Sequence, residues 1–369
     1  NAIRRQRQMC IRDRYRSKDM KPNSILYYPH IEFQNEAWVK SSLLLWDHVY
    51  RIVPEGYSPN DSDEIKALVD EDLVRDIKLD DKDREDTFEE FLKLCDRIEN
   101  RMPAGLIPSD EDRIHPGKID NRLYPFLDLI GEHFIDEDNW LHLSKELARG
   151  YMFKLSQVVA RIRNLNRGTD DLDAWSINPY FSENANFGDF LQDPTAKGFF
   201  CSVTLEDIVP QNIGEVSARE LVTFVNKRKD ERKLLREKFD DFTNHLAKIS
   251  NIQHAGQVNE DFVKELLDSK EQYKKSMDRW RDIKCLPITT GVPVSLTALG
   301  TFAALMEEPF GIASIAGSLT IGAICSYVDF YRAKKNRDPS YASYLISVDK
   351  LCKNVTWQSY IRLEEFIND

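Results

Sequence analysis

The sequence lacks every short motif that would assign a reaction. It has no GxGxxG turn, no GxxxxGK[ST] loop, no HExxH helix and no GxSxG elbow. These absences remove the commonest dinucleotide, nucleotide, zinc and serine-nucleophile signatures. Cysteine is sparse and scattered: Cys10, Cys95, Cys201, Cys285, Cys325 and Cys352 form no CxxC pair and have no histidine at zinc-ligand spacing. Neither a disulfide framework nor a structural zinc site is expected, and a reducing cytosol fits. No cofactor is implied. There is no internal repeat, no low-complexity tract, and no secretory signal after Met20.

Charge is unevenly spread. Residues 1–19 carry seven Lys/Arg and two acids, a net of +5, so the rest of this −11 chain of 369 residues stands at −16. Nucleic-acid binding rests on cations that neutralise phosphates, and so acidic a body is not expected to bind nucleic acid. The basic start, Arg4 to Asp13 (RRQRQMCIRD), resembles a translated sequencing adapter. Residues 1–19 are therefore expected to be a non-native leader on a metagenomic sequence, with Met20 as the start.

Apolar residues are 41% and charged residues 31%, a globular composition. SILYYPH reads as a strand stopped at Pro29. Asn35 is a good N-cap for a helix from Glu36 to Trp46, and HVYRIVP, His48 to Pro54, reads as a second strand. Together they make a βαβ unit. Asp61 is expected to cap the next helix with Glu64 as its capping-box partner, and Leu73 to Ile77 to add a third strand. A helix follows from Asp83 to Arg101. Residues 102–121 read as an exposed connection, then helices at 122–134 and 139–163. Residues 164–198 read as a long irregular stretch, and FFCSVTLEDIVP as one more strand. Ser217 and Glu220 form a capping box opening a charged helix to Ser250, and the loop IQHAGQV leads to a second helix from Asn259 to Lys284. Heptad-like spacing of Leu235, Phe239, Phe242 and Leu246 suggests an antiparallel coiled coil; an ordinary pair inside a larger bundle is the alternative. The charged run Asn226 to Lys238 reads as a solvated helix side.

The opening YYPHIEF, the following LLLWDHVYRIVPEGY and DSDEIKALV, and NIGEVSARELVTFVNKRKDERK further on resemble an uncharacterised bacterial family known only as a domain of unknown function. The resemblance covers most of the chain after Met20. It implies a bacterial source, and no activity or site residues.

The sharpest feature lies near the C-terminus. Between Lys284 and Asp329 the only charges are Glu307 and Glu308, leaving two uncharged stretches, Pro287 to Met306 and Pro309 to Val328. About 20 helical residues span about 30 Å, the hydrocarbon thickness of a bilayer. Ser314, Ser318, Gly322 and Ser326 recur every fourth residue as a packing stripe. Arg332, Lys334, Lys335 and Arg337 form a basic flank that fits a cytoplasmic face. The Gly, Ser, Thr and Pro content supports the opposite reading, a buried soluble core.

Candidate site residues are few. His30 and Glu55 sit at the carboxyl ends of the first two strands, where α/β ligands bind. Asp47 reads as structural, paired with a residue such as Arg51. Asp170, Asp171 and Asp173 cluster in the irregular stretch and are weak metal candidates.

The expected fold is α+β and predominantly α-helical. Its parts are an α/β module at 20–101, a helical middle at 102–216, an antiparallel helical pair at 217–284, an apolar hairpin with its basic flank at 285–338, and a helical segment at 339–369. The expected protein is cytoplasmic and attached to the inner membrane: a non-enzymatic sensor or effector presenting the hairpin to lipid, with the helical pair open to a protein partner. The alternatives are a soluble interaction module with the hairpin as core, and a metal-dependent enzyme using Asp170 to Asp173.

Overall fold

The computed structural model describes residues 23–98, 111–130, 133–171, 192–249, 252–284 and 340–352. The chain divides into two units, residues 1–270 with 341–369, and residues 271–340. The first unit carries the sheets and the candidate site. Of the second, the described part is the distal end of one helix, where Lys275 and Glu271 pair across one turn at 3.8 Å.

A four-stranded parallel sheet organises the first unit. β1 (Ser24–Tyr27) leads through α1 (Glu36–Leu43) to β2 (His48–Ile52), and through α2 (Asp63–Asp70) to β3 (Val74–Ile77). The expected βαβ unit is present, with Ser24 opposite His48 and Val49 opposite Val74. Asn35 caps α1 as its sequence suggests, accepting from the N–H groups of Ala37 and Trp38. The cap of α2 is Ser62 rather than Asp61. Asp61 is instead drawn to buried Arg51, accepting from Nη1 at 2.5 Å and Nη2 at 2.6 Å. Glu64 serves another helix, accepting the Ala218 N–H at 2.5 Å.

α3 (Asp81–Ile98) is followed by a small antiparallel sheet of β4 (Glu111–Ile114), β5 (His133–Ile135) and β6 (Leu141–Ser144), in the order β4-β6-β5. α4 (Leu123–Ile130) lies between β4 and β5, and α5 (Lys145–Arg163) follows β6. The middle is therefore not wholly helical. The start of the expected helix at 139–163 is instead a strand over Leu141–Ser144, because Leu141 and Leu143 alternate inward, a period-two signal that the helical reading absorbs.

β7 (Asn166–Gly168) returns to the parallel sheet on the far side of β1, within the stretch read as irregular. The α/β module thus extends well past residue 101. Gly168 and Gly198 let this edge close up: a Cβ on Gly198 would collide with the backbone carbonyl of Arg167. FFCSVTLEDI is helical, in α6 (Lys197–Ile208), not a strand. The Ser202 and Thr204 hydroxyls donate back to the carbonyls of Gly198 and Phe200, so these buried polar groups are satisfied inside the helix.

α7 (Ala218–Lys227) opens with the expected Ser217–Glu220 capping box, and the chain turns at Arg228 into α8 (Lys229–Leu246). α9 (Ile252–Lys284) starts within IQHAGQV, so the connecting turn is shorter than expected. α8 and α9 pack antiparallel through Phe242 on Phe262 (4.3 Å, stacked) and a Lys238–Glu265 ion pair at 2.8 Å. A helical stretch at 341–352 joins them, with Lys270 to Asp349 at 2.7 Å and the Tyr344 hydroxyl donating to the Leu44 carbonyl at 2.7 Å. The pair therefore belongs to a bundle laid against the sheet. The chain is a predominantly helical α+β protein.

Candidate functional site

The strand order β3-β2-β1-β7 changes direction between β1 and β7. From β1 the chain winds outward through β2 and β3, then returns to the other edge of β1. Loops leaving adjacent strands diverge at such a reversal, and ligands of open parallel sheets bind there, beyond the carboxyl ends. In this chain the two diverging loops are residues 28–35, after β1, and 169–171, after β7.

Four polar side chains meet between them. His30 Nε2 lies 3.6 Å from Asp171 Oδ2, and Arg149 Nη2 lies 3.4 Å from the same oxygen. Arg149 arrives from the start of α5, a helix that leads into β7 and so begins at this edge. Thr169 Oγ1 accepts the Asp171 N–H at 3.0 Å and holds the turn. Asp170 faces the other way: its Oδ2 accepts the Asn35 N–H at 2.7 Å, at the start of α1. Its Oδ1 is buried beside the Tyr27 hydroxyl, the donor that acts on this carboxyl. Burial raises the Asp170 carboxyl above the usual carboxylate range and, together with the Asp170 charge, raises Tyr27 as well.

A second cluster borders the first. The Tyr57 hydroxyl donates to Glu32 Oε1 at 2.6 Å, and this bond, with burial, pushes Tyr57 up to about 12. The His115 ring stands edge-on to Tyr57 (5.4 Å) and Trp140 (5.1 Å), and accepts the Gly117 N–H at Nδ1. Burial and the nearby Lys118 charge lower His115. Lys118 is 3% exposed and its Nζ donates to the Pro29 carbonyl at 3.4 Å. Burial lowers the Lys118 amine to about 7.

Of the residues singled out from the sequence, His30, Asp170 and Asp171 come together. Glu55 lies exposed in the turn after β2, away from the cluster. Asp173, the Ser314, Ser318, Gly322 and Ser326 stripe, and the Arg332, Lys334, Lys335 and Arg337 flank lie outside the described residues. The metal reading gains nothing from the geometry: Asp170 and Asp171 address different donors, and no group of three or more His, Cys, Asp or Glu converges on a metal position among the described residues. Asp47 is structural, but its partner is not Arg51. Arg232 Nη2 at 2.7 Å and Arg236 Nη2 at 2.9 Å hold its Oδ1, while Arg51 is bound to Asp61 and Asp76. The run read as a solvated helix side thus buries two arginines. Burial by itself would raise Asp47; the Arg236 hydrogen bond and the two guanidinium charges hold it below the usual range.

Arg149, Asn35, Glu32, Tyr57 and Lys118 are additions that only the fold supplies. Nothing in the local sequence around Lys118, within a Pro/Gly/Asp-rich stretch, marks it as buried.

The fold and this edge define a class, a predominantly helical α+β protein built on a four-stranded parallel sheet whose order reverses at β1. No family model, curated protein or solved structure matches the chain. Among the described residues, no helix is long and apolar enough to cross a membrane.

Proposed function

We propose that this protein is a non-enzymatic sensor. Its parallel-sheet unit recognises a small ligand between the loops after β1 and β7, and its apolar stretch 287–328 is directed at the inner membrane. One observation carries the ligand half of this reading. His30, Asp171 and Arg149 converge at the one edge of the sheet where strand order reverses. Arg149 and His30 favour an anionic or carbonyl group there.

Native mass spectrometry of the full chain purified from cells tests the ligand half. The reading expects a bound small molecule on the parent that is lost from Arg149→Ala and His30→Ala, both of which should stay folded. Equal mass spectra for all three would defeat it. The membrane half rests on two uncharged stretches of 20 residues and their basic flank. Fractionation of the full chain tests it: recovery in the membrane pellet supports it, and a detergent-free soluble monomer assigns the stretch to a buried core instead.

A further inference from the structure

The small antiparallel sheet has two edges, and they meet solvent differently. β4 carries Asp112 and Arg113, charged residues of the kind that blunt an exposed strand edge, and Asp112 Oδ1 itself accepts the Arg113 N–H at 2.8 Å. β5, at the opposite edge, is His133-Phe134-Ile135, with Phe134 48% exposed and Ile135 50%. The other large exposed apolar side chains among the described residues, Ile162 and Leu267, stand singly on helices. Single exposed apolar side chains are ordinary; two in succession on an open strand edge are not.

The hydrogen-bond register fixes which backbone groups β5 leaves open. β5 and β6 pair antiparallel with Phe134 opposite His142, and the Asp136 N–H donates to the Trp140 carbonyl at 3.0 Å. Hydrogen-bonded pairs alternate along such a ladder, so Phe134, two residues before Asp136, is the next residue to bond across to β6. The N–H and C=O groups of His133 and Ile135 therefore point away from β6, and no strand pairs with them among the described residues. The Phe134 ring stacks on His142 at 4.3 Å, and His142 Nε2 is held by Asp136 Oδ2 at 3.0 Å. Ile135, opposite buried Leu141, extends the other face of the sheet. An added strand would meet an apolar contact on each face. Both ends of the edge are acidic. Asp128, 71% exposed, stands 3.5 Å from His133, and Glu137 and Asp138 lie exposed in the turn that follows β5.

We propose that the outer edge of β5 receives an extended segment of a partner protein as a further antiparallel strand, apolar at its centre and carrying Lys or Arg at both ends. Opposite His133 and Ile135 that strand exchanges N–H···O=C bonds, and its alternate side chains cover Phe134 on one face and Ile135 on the other. The acidic ends select basic residues. They also disfavour a second copy of this chain, whose antiparallel pairing would bring Glu137 and Asp138 of one copy toward Asp128 of the other. Neither the ligand edge of the parallel sheet nor the apolar stretch 287–328 takes part.

Random peptides displayed on phage are selected against the folded full chain, and an enriched peptide is synthesised and titrated by fluorescence polarisation. The enriched peptides are expected to alternate apolar residues between Lys or Arg. Ile135→Pro removes an outward N–H without touching the β6 ladder, and Phe134→Lys places a cation in the apolar contact. Each variant is expected to keep the parent's circular dichroism and to bind the peptide at least about tenfold more weakly; if the proline unfolds the sheet, Phe134→Lys alone decides. Glu137→Lys is expected to weaken binding several-fold at low salt and little at high salt. Enrichment no greater than on folded Ile135→Pro, peptides without basic ends, or binding unchanged by Phe134→Lys would overturn the proposal. A parent that is a dimer and becomes a monomer with Ile135→Pro would overturn it in favour of a second copy.

Discussion

The carboxylate of Asp170 holds the backbone N–H of Asn35 at 2.7 Å, tying the end of β7 to the start of α1 across 135 positions of sequence. In doubly wound folds that helix terminus is where phosphates are received, because its N–H groups lack partners. Here the chain supplies its own anion, and Asn35 Oδ1 takes the N–H groups of Ala37 and Trp38. A ligand at this edge therefore meets side chains, His30, Asp171 and Arg149, rather than a bare helix end.

Asp170→Asn should separate stability from binding. The amide keeps an acceptor for Asn35 and removes a buried charge, so at pH 7 the variant should melt at or above the parent temperature. The sign follows from the raised carboxyl. The folded state favours the protonated form, so the charge penalty develops above the unfolded value of about 3.9 and is complete above the folded value. The advantage of the amide should accordingly vanish in acid. Asp170→Ala, which abandons the Asn35 N–H, should lose about 1 kcal/mol. Thermal melts from pH 3 to 8 measure all three.

Asp47 fastens α8 to the amino edge of the sheet. Asp47→Asn leaves Arg232 and Arg236, 7% and 9% exposed, without their countercharge. The expected cost at pH 7 is about 2 kcal/mol, below the value for a fully buried pair because Asp47 is itself about a third exposed and screened. Its carboxyl is held low, so the stabilisation is present above about pH 3.9 and disappears as pH falls through the folded value. Urea unfolding at pH 7 and pH 3 should show a difference between parent and variant that closes in acid.

Arg167 in β7 is fully buried between the Phe153 and Phe199 rings, with Asp193 at 2.6 Å and Thr195 at 2.8 Å. Arg167→Met strands Asp193 and should cost about 3–5 kcal/mol, whereas Arg167→Met with Asp193→Asn should recover much of that loss. Denaturant melts of the two single variants and the double variant give the coupling. Additive losses would show that the pair contributes nothing beyond its separate contacts.

This same strand explains why part of the fold is illegible from sequence. SILYYPH and HVYRIVP announce their strands through apolar and β-branched residues, and Asn35 and Ser217–Glu220 announce their caps locally. Asn166-Arg167-Gly168 carries no strand signal, because its burial is licensed by Asp193 and Thr195 from a distant loop. α6 misleads in the opposite direction: Phe199, Phe200, Cys201 and Thr204 favour strands in isolation, yet their burial against the sheet selects a helix. The site is half legible for related reasons. His30 follows from the carboxyl-end rule once β1 is placed. Asp170 and Asp171 attract notice as acids, but their roles depend on Asn35, Arg149 and the return of β7, none of which is near in sequence. The inward arginines of α8 are hidden by the mixed charges around them, since Asp47, which receives both, is far away in sequence.

The claim that most of this account depends on is that the ligand edge lies between the loops after β1 and β7. Hydrogen–deuterium exchange of the full chain, with and without the low-molecular-weight fraction of a bacterial lysate, addresses it directly. Protection concentrated in residues 28–35 and 168–171, and absent from Arg149→Ala, is the expected result. Protection elsewhere alone, or identical protection in the variant, would contradict it.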